Sequence, residues 1–149
     1  MSIFSRVLLC YDGSWDGRRA LSYGAQLARA FGAEIHLLAV LEPAYWLLGV
    51  DGMTGEAQII EEKSARRILR EGAQRLKASG INATEHFATG HSITQIARFA
   101  NALHVDLVIV GHSQCGAPNR WWTRMSNGVL LDKVSCSVLV ATEEGTKMA

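Results

Sequence analysis

The chain has 149 residues, 48% of them hydrophobic and 19% charged, which is the size and apolar content of one compact domain with a real core. A net charge of +1 gives no bulk reason to expect nucleic-acid or membrane-surface binding, and no apolar run approaches the ~20 residues of a membrane span. The opening MSIFSRVLLCYDG has too short an apolar run for a signal peptide and meets Asp12 instead of a small-residue cleavage site, so a soluble cytoplasmic protein is expected.

Arg6 to Tyr11 (RVLLCY) is apolar without a helical period, the mark of a strand buried on both faces. Asp12-Gly13-Ser14 ends it, with Ser14 suited to cap a helix and Asp16 to its first turn. From Trp15 to Phe31, Ala20, Gly24, Leu27, Ala28 and Phe31 recur at spacings of three and four. This is a helix with one small-residue face, stopped by Gly32. Glu34 to Val40 is the second strand. His36 alternates there with apolar neighbours and reads as a surface or interface residue, because no second ligand stands near it in sequence.

Glu42 to Gly55 holds a proline, several glycines and the cluster Tyr45-Trp46-Leu47-Leu48, and is expected to be a connection over the sheet edge. Glu56 to Ser79 is helical: Ala65, Ile68, Leu69, Gly72 and Leu76 form the apolar stripe, and interleaved acids make the basic cluster 66–70 a solvated face. Ile81 to Ala88 alternates apolar and polar, as a half-exposed edge strand does, with His86 on the polar register. Ser92 is expected to cap a helix carrying Ile93, Ile96, Ala97, Ala100 and Leu103. Leu107 to Val110 is a strand stopped by Gly111. A polar and aromatic loop follows, then a short helix near Ser126 to Lys133, the strand Ser137 to Thr142, and a polar tail from Glu143 to Ala149.

Strands alternating with helices predict one α/β domain over residues 1–149, with a parallel sheet and helices on both faces. Ligands of such sheets lie at the carboxyl ends of the strands. Asp12 and Gly13 after the first strand could meet a ribose or adenine, and the helix start behind them suits an anion. The segment after Gly111 carries polar donors but also Trp121, Trp122 and Pro118, bulky for a phosphate cradle. No catalytic set emerges: His112 beside Ser113 and Cys115 lacks any surrounding motif, and neither G-x-S-x-G, a Walker loop nor H-E-x-x-H is present. The cysteines Cys10, Cys115 and Cys136 lack metal spacing; Cys10 and Cys136 read as small core residues.

On RVLLCYDGSWDGRRAL, EIHLLAV, HVDLVIVGH and VSCSVLVAT the sequence resembles the universal stress protein family over nearly its whole length. The resemblance implies a flavodoxin-like three-layer sandwich with a five-stranded parallel sheet of order 3-2-1-4-5. It also implies a homodimer through the last strand, and a stress-response regulatory or partner-binding role, with an unidentified protein partner, in place of an enzymatic reaction.

The ATP-binding branch of that family carries G-x-x-G-x9-G-[ST] after the fourth strand. Laid on Gly111, its later positions fall on Gln114, Arg124 and Met125. The branch without this motif is similar in Gly111-His112-Ser113-Gln114, an aromatic pair, and Met125-Ser126. No cofactor is therefore expected. The alternative is an ATP-binding member with a rebuilt phosphate loop, in which Asp12, Gly13 and Val40 hold the base and ribose side and Gly111, Gly116 and Ser126 face the phosphates.

Overall fold

A computed structural model describes residues 3–11, 15–42, 55–112 and 130–142. Its strands are β1 (Arg6–Cys10), β2 (Glu34–Leu41), β3 (Thr84–Thr89), β4 (Leu107–His112) and β5 (Ser137–Thr142). Between them run the helices α1 (Trp15–Phe31), α2 (Gly55–Ala78) and α3 (Ser92–Ala102), and residues 130–133 are also helical. The sheet order is 3-2-1-4-5 and every pairing is parallel, which is the flavodoxin-like arrangement expected.

The alternation within β1 explains the layering. Val7, Leu9 and Tyr11 point into a core shared with α1 and α2, together with Leu37 and Ile109. Leu8 and Cys10 point the other way, into a core with α3, Leu38, Val108 and Leu130. Because both faces are covered, the strand is apolar throughout instead of alternating. Cys10 is a buried core thiol, and Cys136 packs half-buried on the α3-side core, where burial pushes its thiol pKa up. The left-handed residues that end α1 and α2 are Gly32 (φ 65°) and Gly80 (φ 84°), as their positions in the sequence suggested.

Of the boundaries that differ from the sequence reading, two have a visible cause. β3 begins at Thr84 instead of Ile81, because the Ile81 amide is used to close the end of α2 on the Leu76 carbonyl at 2.9 Å. β4 does not stop at Gly111. It runs on to His112, since Gly111 and His112 pair with Ala141 and Thr142 of β5. At the amino-terminal edge of the sheet, the Asp106 carboxylate accepts the amides of Ser5 (2.7 Å) and Arg6 (3.1 Å), while Arg6 reaches Glu34 at 3.2 Å and the Leu103 carbonyl at 3.3 Å. That edge is tied together by the fold itself.

Candidate functional site

In this strand order the direction of winding reverses between β1 and β4, and the crevice at their carboxyl ends is where open α/β sheets bind ligands. β1 and β4 are in register through Leu9 and Ile109, which places Gly111 level with Tyr11 at that edge. Tyr11 is tied to β2 by its amide on the Leu38 carbonyl at 3.0 Å. Val40 lies at the end of β2, one strand further over. With strands ~4.8 Å apart, Val40 and Gly111 stand about 10 Å from each other across β1. The Val40 side chain is buried in the α3-side core, so only its backbone can face a ligand. Of the sequence-predicted site residues, Val40 and Gly111 are thus brought to one edge of the sheet. Asp12, Gly13, Gly116 and Ser126 lie outside the described residues, as do Cys115, Trp121, Trp122, the connection 43–54 and the tail 143–149.

The wall on the β3 side was not legible in advance. Gly90 donates its amide to the Leu41 carbonyl at 2.9 Å, which draws the β3–α3 turn onto the end of β2. Ser92 is not the cap of α3. His91 holds that position, Ser92 is the first helical residue, and its buried hydroxyl has no hydrogen-bond partner. The cap comes from elsewhere in the chain: the Glu42 carboxylate accepts the Ser92 amide at 2.7 Å and stands 3.7 Å from His91 Nδ1. A carboxylate held at a helix amino terminus satisfies an otherwise orphaned donor and meets the positive end of the dipole.

A second grouping corrects the reading of His36. It is buried, at 7% exposure, because α3 covers that face of the sheet. Its Nδ1 is 2.9 Å from His86 Nε2, and its Nε2 is 3.3 Å from a Glu34 oxygen. The His86 ring lies 5.4 Å from the Phe99 ring of α3, tilted against it by 58°. Burial, and then the neighbouring His36, hold the His86 pKa below the usual histidine value. One of the paired nitrogens must donate and the other accept, so the pair is a polar seam in an apolar layer.

On the other face, the Tyr11 hydroxyl lies 3.3 Å from Glu71, whose same oxygen meets Arg75 at 3.0 Å and Arg18 at 3.6 Å. Burial pushes the Tyr11 phenol up, opposed by its hydrogen bond with Arg18, while the Arg75 guanidinium holds the Glu71 carboxyl below its usual range. Among the described residues no group of three or more His, Cys, Asp or Glu converges as a metal site. The basic cluster 66–70 behaves as a solvated face: Arg66 pairs with Glu62 at 3.0 Å and lies over the Phe87 ring of β3 at 4.3 Å.

A doubly wound parallel sheet whose winding reverses between β1 and β4 defines a flavodoxin-like α/β domain. The chain belongs to the universal stress protein family, whose model matches residues 4–142. In solved structures the chain is similar to universal stress protein UspA from Lactobacillus plantarum, at TM-score 0.72 and 20% identity, covering 92% of this chain and 97% of that one. It is also similar to the universal stress protein from Archaeoglobus fulgidus in complex with dAMP, at TM-score 0.62 and 18% identity, covering 93% and 98%. Among curated proteins it is 35% identical over 121 residues, 72% of its own length, to an aspartate carbamoyltransferase catalytic subunit of Granulibacter bethesdensis. The chain spans only 35% of that protein's length. Among the described residues no helix is long and apolar enough to cross a membrane.

Proposed function

We propose that this universal stress protein is a cytoplasmic regulatory or partner-binding module, not an enzyme, working as a homodimer joined through β5 and binding ATP weakly or not at all. The observation that carries the reading is the difference between the two edges of the sheet. At the β3 edge, Thr84, Glu85 and Thr89 are exposed and Arg66 covers Phe87, which blunts the edge against pairing. At the β5 edge, Val138 and Val140 are half-buried and Leu139 is 37% exposed, an apolar strand suited to burial against a second copy. Sedimentation at micromolar concentration should give twice 16.3 kDa, and Leu139→Lys should shift it to the monomer. A wild-type protein that stays monomeric would refute the dimer.

Sterics support the ATP side of the reading. Gln114, Arg124 and Met125 occupy positions where a triphosphate needs bare backbone or a hydroxyl. ATP, ADP and AMP at millimolar concentration should leave the melting temperature unchanged, whereas a ligand at 100 times its Kd adds about 2.7 kcal/mol. A clear rise would replace this reading with the alternative, a nucleotide-binding member using Asp12, Gly13, Val40, Gly111, Gly116 and Ser126. The dAMP complex of the Archaeoglobus fulgidus neighbour and the roughly 10 Å span from Val40 to Gly111 favour that alternative.

A further inference from the structure

We propose that the outward face of α2 is the docking surface for an acidic amphipathic helix of a partner protein. This rests on the partner-binding function proposed above and adds the partner's chemistry to it. At about 100° per residue, Lys63, Arg67, Arg70 and Lys77 fall within an arc of about 80° on that face, and all four are exposed. Among the described residues none of the four takes part in an ion pair. The acids of the same stretch lie away from this arc. Glu62 is bound to Arg66 at 3.0 Å and Glu71 to Arg75 at 3.0 Å, while Glu61 falls on the opposite side of the helix, half-buried. One turn before the row of cations, Ile59 and Ile60 are 54% and 66% exposed.

Charge and apolar surface together select the occupant. Lys63, Arg67 and Arg70 are spaced by four and then three, one row about 10 Å long. Carboxylates at the same spacing on a helix lying alongside meet that row, and guanidinium forks hold them in two-point contact. Leucine or isoleucine anchors on the same helix cover Ile59 and Ile60 and take them out of water. A nucleic acid would engage the cations but leave both isoleucines in solvent, and a net charge of +1 supplies little long-range attraction for a polyanion. A helix lying on a membrane inserts its own apolar face. That face of α2, through Leu69 and Leu76, is already buried against the sheet. Single surface ion pairs contribute little, so the cations and the isoleucines beside them act as a set.

The test is an NMR titration of the full-length protein, at constant ionic strength, with a synthetic helical peptide. The peptide carries glutamates at three- and four-residue spacing on one face and two leucines one turn beyond them. The expected result is a saturable shift of the backbone amides from Ile59 to Lys77. A scrambled peptide of the same composition, a peptide with glutamine for glutamate, oligothymidylate and phosphatidylserine vesicles should each bind at least fivefold more weakly. Arg67→Glu combined with Arg70→Glu should weaken the acidic peptide at least tenfold, and Ile59→Ser combined with Ile60→Ser at least threefold, with folding checked by circular dichroism. The wild-type titrations decide the matter should a variant fail to fold. Unsaturable shifts, or binding unchanged by the paired arginine substitutions, would overturn the proposal. So would equal binding of the scrambled peptide, of oligothymidylate or of the vesicles. Saturable binding on another face would overturn this surface and keep the partner-binding function, which fails separately if ATP raises the melting temperature.

Discussion

Gly72 is the residue on which the α2–sheet contact turns, and replacing it with alanine tests the packing account directly. A Cβ built there meets Tyr11 Cδ2 at 2.7 Å, Leu37 Cδ2 at 3.1 Å and Tyr11 Cε2 at 3.1 Å. Ordinary carbon contacts are ~3.5–4.0 Å, so all three distances are repulsive. Neither partner can retreat cheaply: both side chains are fully buried, and the Tyr11 hydroxyl is bonded to Glu71. Overpacking of this kind costs about 2–3 kcal/mol, at the upper part of its usual range. Alanine returns about 1 kcal/mol through helix propensity. The net for Gly72→Ala is therefore a loss of about 1–2 kcal/mol, a fall in melting temperature of roughly 2–8 °C for a domain of this size. Urea unfolding should show a lower midpoint with an unchanged slope. In a Tyr11→Leu background, where the ring is gone, Gly72→Ala should be neutral or stabilising, a coupling of about 2 kcal/mol. An unchanged or raised midpoint in the wild-type background would refute the reasoning.

Other expectations follow from the polar contacts. Glu42→Ala removes the charged cap of α3 and should cost about 1–2 kcal/mol in urea unfolding, with faster exchange of the Ser92 amide; a loss below about 0.3 kcal/mol would show the cap to be incidental. The lowered His86 pKa makes stability depend on pH in a defined direction. The unfolded chain takes up a proton near pH 6.5 while folded His86 still excludes it, so the unfolded state binds more protons below that point. Stability is then full above about pH 6.5 and falls on acidification, levelling once the folded His86 also titrates. His86→Gln should flatten the curve between pH 7 and pH 5, and an identical slope in the two proteins would count against the buried His86 as its source.

The fold was legible because its signals are local. RVLLCY announces a strand buried on both sides, and the three-and-four spacing of Ala20, Gly24, Leu27, Ala28 and Phe31 marks the face of α1 that meets the sheet. The places where local reading failed are those where a partner arrives from far along the chain. Ser92 resembled a cap because its hydroxyl could serve, yet a carboxylate fifty positions earlier takes the task. His36 looked solitary because its partner His86 is also fifty positions away, brought alongside only by the pairing of β2 with β3. The site was legible to the extent that strand ends were. Val40 and Gly111 stand at the carboxyl-terminal edge of the sheet, while Asp12, Gly13, Gly116 and Ser126 lie outside the described residues.

The register of β4 with β5 explains how a loop can change its chemistry without endangering the fold. All six positions from Leu107 to His112 pair with Ser137 to Thr142, so the two ends of the intervening segment are held by the sheet itself. Leu130, fully buried in the α3-side core, pins the segment once more before β5. Loop closure costs rise only with the logarithm of length, about 0.6 kcal/mol per doubling, so a longer segment is cheap to carry. Gln114, Arg124 and Met125, which stand in the sequence where the ATP-binding pattern has small residues, lie outside the six paired positions of each strand, so substitutions there leave the β4–β5 ladder with all its partners.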